Sequence, residues 1–74
     1  MAKNFSGKQV IKVLSQKFGF YFVSQEGSHV KLVKVLAGRK ITTIVPLHKE
    51  LALGTLRGVL DLAGVSLKDF LGKT

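Results

Sequence analysis

Two glycine turns, Gly27-Ser28 and Ala37-Gly38, cut residues 20–45 into three apolar and β-branched pieces: "FYFVSQ", "HVKLVKVL" and "KITTIV". Enrichment in aromatic and β-branched residues reads as strand. A parallel pair needs a crossover of a dozen residues or more, and neither turn is long enough. Antiparallel pairing is left, so the pieces make a three-stranded meander over Phe20–Gln25, His29–Leu36 and Lys40–Val45. Pro46 stops the third strand. In the middle strand Val30 and Leu32 point to one face, and His29, Lys31 and Val33 to the other.

Such a sheet has one apolar face to cover, and the flanking sequence supplies two helices for it. Ser6-Gly7-Lys8-Gln9 has the spacing of a capping box. Val10, Ile11, Leu14 and Phe18 follow at helical spacing, and Gly19 ends the helix in a left-handed conformation. A second helix is expected from about Thr55 to Ala63, with Leu56, Val59, Leu60 and Ala63 buried and Gly64 as its stop. Ser66 and Asp69 repeat the Ser-x-x-acid signature and start a short last helix carrying Leu67, Phe70 and Leu71. "LHKELALG", between the third strand and the second helix, reads as an irregular loop. The expectation is an α+β fold of order α-β-β-β-α plus a C-terminal helical turn, with two helices on one sheet face and the other face open. All 74 residues, 1–74, form one domain.

The chain has no cysteine, so disulfides and thiolate zinc sites are excluded. No apolar run approaches the ~20 residues that cross a bilayer, and "MAKNFSGK" lacks the apolar segment of a secretory leader. A cytoplasmic protein with no membrane association is expected. Twelve Lys and Arg against four Asp and Glu give +8, with the basic residues spread along most of the chain. That surface draws polyanions, nucleic acid first among them. Lys8, Lys12, Lys31, Lys34 and Lys40 form either a track for a nucleic-acid backbone or a solvated face.

The reactive groups are few. His29, His48 and Glu26 or Glu50 supply at most three metal ligands, at no recognisable spacing, so no metal or other cofactor is expected. Ser28 and His29 are adjacent and point to opposite faces, which speaks against a serine triad, and no Walker loop or GxGxxG is present. A metal-free ribonuclease fits what is left. RNA carries its own nucleophile, the 2′-hydroxyl; the protein must move protons and neutralise charge on the phosphate. An imidazole, which titrates near 6.5, suits the proton steps, and a lysine suits the charge. His29 and Lys31 share one strand face and supply both. A single histidine does not easily perform both proton steps, and His48, Tyr21 or water is open as the second group. His48 also reads as a phosphate contact or a cap for the loop backbone, His29 as a plain surface residue, and Tyr21 and the phenylalanines as core and sheet filler. A non-catalytic RNA-binding module and an adaptor docking an acidic protein stand as alternative functions.

"FSGKQVIKVLSQKFGFYFVSQEGSHVKL" and "VPLHKELALGTLRGVLDLAGVSLKDFL" are similar to the HicA toxins, the messenger-RNA interferases of toxin–antitoxin pairs. The resemblance rests on Ser6-Gly7-Lys8, Gly19-Phe20, Gly27-Ser28-His29, Val45-Pro46-Leu47-His48, Gly54-Thr55-Leu56-Arg57 and Ala63-Gly64, in that order. It implies a fold like the double-stranded-RNA-binding domain, an endoribonuclease acting on mRNA without metal, and His29 as the catalytic residue. Gly27, Ser28, Lys31, Lys8, Lys34, Lys40 and His48 are the RNA-binding candidates beside it, and a HicB-like antitoxin is the implied protein partner. The "VLAGRK" turn departs from the family pattern, in which a polar residue precedes the glycine; here Ala37 does.

Overall fold

A computed structural model describes residues 4–74; residues 1–3, part of the N-terminal stretch read as lacking a leader, lie outside it. The element order is α1 (Gly7–Lys17), β1 (Tyr21–Glu26), β2 (His29–Leu36), β3 (Arg39–Pro46), α2 (Leu53–Ala63) and α3 (Leu67–Gly72). The strands form one antiparallel sheet in the order β1-β2-β3. This is the expected α-β-β-β-α architecture with the extra C-terminal helix.

Local signals set most of the boundaries. The Ser6 hydroxyl accepts the Gln9 N–H at 3.1 Å, and the Gln9 side chain accepts the Ser6 N–H at 2.8 Å, closing the capping box. Gly19, at φ 77°, reverses the chain after α1. Ser66 accepts the Asp69 N–H at 3.0 Å and starts α3. The start of α2 is less well marked. The helix begins at Leu53, two residues before the expected Thr55, behind Ala52, which has no capping side chain.

One apolar layer holds the elements together. Val10 and Leu14 of α1, Val30, Leu32 and Val45 of the sheet, Leu56, Val59, Leu60 and Ala63 of α2, and Phe70 of α3 share a buried cluster with Phe5, Phe20 and Leu51. Phe5 and Phe70 meet edge to face with ring centroids 5.2 Å apart, fastening α3 to the segment before α1. Thr43, fully buried, donates its hydroxyl to the Val59 carbonyl at 2.7 Å and so ties β3 to α2.

The helices do not cover the sheet evenly. α1 and α2 lie against β3, whereas the chief neighbour of β1 is β2. All six residues of β1 are exposed, among them Tyr21 at 51%, Phe22 at 58% and Val23 at 45%. As core packing, the expectation for the phenylalanines holds for Phe5, Phe20 and Phe70, with Phe18 partly buried against the same cluster, whereas Tyr21 and Phe22 lie exposed on the sheet. Two features cause this: β1 is an edge strand, and its ladder to β2 shifts register between Phe22 and Ser24. Such a bulge bends the strand and breaks its alternation.

Candidate active site

His29 is the first residue of β2 and is held from both sides. Across the first hairpin its ladder partner is Glu26; across the sheet it is Pro46. The hairpin loop is the two residues Gly27-Ser28, with Gly27 at φ 59°, a conformation that L-residues with a β-carbon avoid. The Gln25 side-chain amide donates to the Gly27 carbonyl at 3.0 Å and steadies the turn. Pro46 offers no N–H, and the next residue does so in its place: the Leu47 N–H donates to the Ser28 carbonyl at 2.6 Å.

This corner gathers three segments far apart in the sequence. The Gly7 N–H donates to the His48 carbonyl at 2.9 Å, and the Leu51 N–H to the Phe5 carbonyl at 2.7 Å. The first turn of α1, the Gly27-Ser28-His29 turn and the Val45–His48 strand end thus meet through backbone hydrogen bonds. Gly7 is required there: a β-carbon on it would lie 2.9 Å from the Leu47 Cα and the Pro46 carbonyl carbon, and closer still to the Pro46 oxygen.

On the face away from the helices, an open depression of about 400 Å³ is lined by Ser24, Glu26, His29, Lys31 and Ile44. His29 is exposed and Lys31 half-buried. Ladder register explains the grouping, because Ser24, Lys31 and Ile44 form the row next to Glu26, His29 and Pro46. An imidazole, an ammonium, a carboxylate and a hydroxyl thus border one open hollow. These are groups for moving protons and stabilising an anion. Among the described residues, no three His, Cys, Asp or Glu converge in a way that could hold a metal ion.

The other candidates divide by position. His48 is exposed at the same end of the sheet as His29, one residue beyond the Leu47 bond to the turn, and Lys8 is exposed in the first turn of α1 next to Gly7. Lys40 pairs with Val35 on the His29 face. Six residues separate Val35 from His29, about 20 Å of strand. Tyr21, opposite Val33, is on this face about 13 Å from His29 along the strand, beyond hydrogen-bond reach. Val33 is fully buried on the otherwise open face, between Tyr21 and Thr42 in the ladder. Lys34 belongs to the opposite alternation, with Nζ 5.8 Å from the centre of the Phe20 ring. It is not beside His29. Glu26 and Ser24 are the site residues that sequence reasoning missed as neighbours of His29. The signal for Glu26 was available, since a two-residue loop makes the residues flanking it direct partners.

Fold and site define a small, strongly basic α+β protein that presents an exposed histidine on an open sheet face. A family model described as the HicA toxin of bacterial toxin-antitoxin matches residues 7–65, most of the chain. The chain belongs to the HicA toxin family and is a toxin of the toxin–antitoxin kind, with an antitoxin of the HicB type as its class of partner and a nuclease-type role. None of the curated proteins matches it. No helix among the described residues is long and apolar enough to cross a membrane.

Proposed function

We propose that this chain is a metal-independent endoribonuclease that cleaves messenger RNA through His29 and thereby blocks translation. The supporting observation is the place of His29: exposed, fixed by two ladder partners, and sharing an open depression with Lys31. A single-stranded segment lies across the open sheet face with one phosphate at this depression. His29 acts as general base on the 2′-hydroxyl or as general acid on the leaving 5′-oxygen, and the Lys31 ammonium stabilises the charge that builds on the phosphate. The Gly27-Ser28 turn borders the bound phosphate. Lys8 and His48 extend the cationic rim at that end, and Lys40 lies along the track at the other. Lys34, over Phe20 on the other face, serves RNA only if the strand wraps the sheet edge.

Binding of this kind is mostly to phosphates, with loose sequence preference and steep salt dependence. A chain of charge +8 is matched by an acidic antitoxin that covers the same face. The test is incubation of the purified chain with unstructured RNA in EDTA, beside a His29→Ala variant. The wild type should yield 2′,3′-cyclic phosphate or 3′-phosphate ends with 5′-hydroxyls. Loss of the histidine should slow cleavage by about 10²–10⁴-fold. Undiminished cleavage by the variant, or 3′-hydroxyl and 5′-phosphate ends, overturns the reading. RNA binding without cleavage by the wild type favours a non-catalytic RNA-binding module.

A further inference from the structure

We propose that Glu26 is the second catalytic group, acting as general base on the 2′-hydroxyl while His29, as imidazolium, protonates the leaving oxygen. The proposal rests on the ribonuclease reading and deepens it. Glu26 and His29 are direct cross-strand partners at the mouth of a two-residue hairpin loop. Side chains so paired project from the same sheet face with β-carbons about 5 Å apart. Both line the depression that Lys31 borders. The two groups therefore flank any phosphate held there, one for the attacking oxygen and one for the leaving oxygen.

Charge makes the placement of Glu26 telling. The chain has four acidic residues: Glu26, Glu50, Asp61 and Asp69. Glu50 accepts a hydrogen bond from the Asn4 side chain, Asp61 lies on α2 and Asp69 on α3. Glu26 alone belongs to the sheet. A carboxylate beside a bound phosphate repels it, so at a site built only to bind RNA it works against the binding. As a proton acceptor it has a use, since one imidazole cannot both take and give a proton in the same step. The charged or titratable groups facing the pair are few. β2 contributes Lys31; β3 contributes Ile44 and Pro46, which carry none; His48 follows just beyond.

The step balances. The 2′-O–H proton passes to the Glu26 carboxylate and the 2′-oxygen bonds to phosphorus. The bond from phosphorus to the 5′-oxygen breaks, and that oxygen takes the proton of the His29 imidazolium. A 2′,3′-cyclic phosphate and a 5′-hydroxyl result. Glu26 is left protonated and His29 neutral, and a proton returning from one to the other, directly or through water, restores the site.

The deciding measurement is the pH dependence of RNA cleavage by wild type, Glu26→Gln and Glu26→Asp, with RNA affinity measured on His29→Ala and on the His29→Ala/Glu26→Gln double variant. The wild-type rate should rise on the acid side as a carboxylate ionises and fall on the alkaline side as an imidazolium loses its proton. Glu26→Gln should cut the rate by at least about 10²-fold, abolish the acid-side rise and leave affinity equal or tighter. Glu26→Asp should keep that rise at a reduced rate. A Glu26→Gln rate and pH profile matching the wild type overturn this proposal while leaving His29 in place. A wild-type rate that only climbs with pH also overturns it, because His29 would then be the base. No cleavage by the wild type overturns the ribonuclease reading along with it.

Discussion

Replacing Gly7 and Gly58 separately with alanine makes the same chemical change in two helices, and the structure demands opposite outcomes. Gly58 is an exposed interior position of α2, and a β-carbon on it meets nothing within 4 Å. Helix propensity alone then applies, and Gly58→Ala should stabilise by about 0.5–1 kcal/mol. Gly7 opens α1 with its N–H bonded to the His48 carbonyl and its α-carbon pressed on the Pro46–Leu47 backbone. The obstacle is main chain, not the flexible end of a side chain, so the two segments must separate. Overpacking of this kind costs about 1–3 kcal/mol. Losing the hydrogen bond costs about 1 kcal/mol more. The propensity gain returns at most about 1 kcal/mol, which leaves Gly7→Ala destabilised by about 1–3 kcal/mol. Thermal unfolding followed by circular dichroism reads both. At about 4–8 °C per kcal/mol for a domain of this size, Gly7→Ala should melt about 4–24 °C lower and Gly58→Ala a few degrees higher. Equal melting of Gly7→Ala and wild type would refute the close docking of α1 on the strand end, and with it the reason for a glycine after Ser6.

Two more outcomes follow from particular positions. Ala37 has φ 53° in the second hairpin loop, where a β-carbon is disfavoured by about 1–2 kcal/mol. Ala37→Asn, which tolerates that conformation beside Gly38, should raise stability by about 0.5–1 kcal/mol in urea titration, and a lower midpoint would count against the turn geometry. On a His29→Ala background that spares the RNA, Lys31→Ala should reduce the salt slope of single-stranded RNA binding by about 0.7, while Lys34→Ala should leave it nearly unchanged. Equal effects would mean that the RNA does not distinguish the two sheet faces.

What could be read along the chain was whatever depends on near neighbours. The Ser6–Gln9 box, the Gly19 reversal, the bounds of β2 and the Ser66 cap are settled within a few residues, where side-chain oxygens compete for nearby N–H groups and glycine alone relaxes the backbone. His29 was legible as a candidate because alternation puts it on one strand face with Lys31 in a strongly basic chain. What stayed hidden depends on which segments pair. The edge position of β1 and its register shift after Phe22 leave Tyr21, Phe22 and Val23 exposed, which the strand pattern alone does not show. Alternation divides Lys31 from Lys34, but the burial of Phe20 under Lys34 needed the packed molecule to appear. The need for glycine at Gly7 comes from a carbonyl thirty-nine positions away at Pro46, and no local pattern carries information about a backbone that distant. Short-range forces choose helix, strand and turn; the hydrophobic closure of one layer on another chooses the neighbours, and at this corner it decides which side chains share the depression.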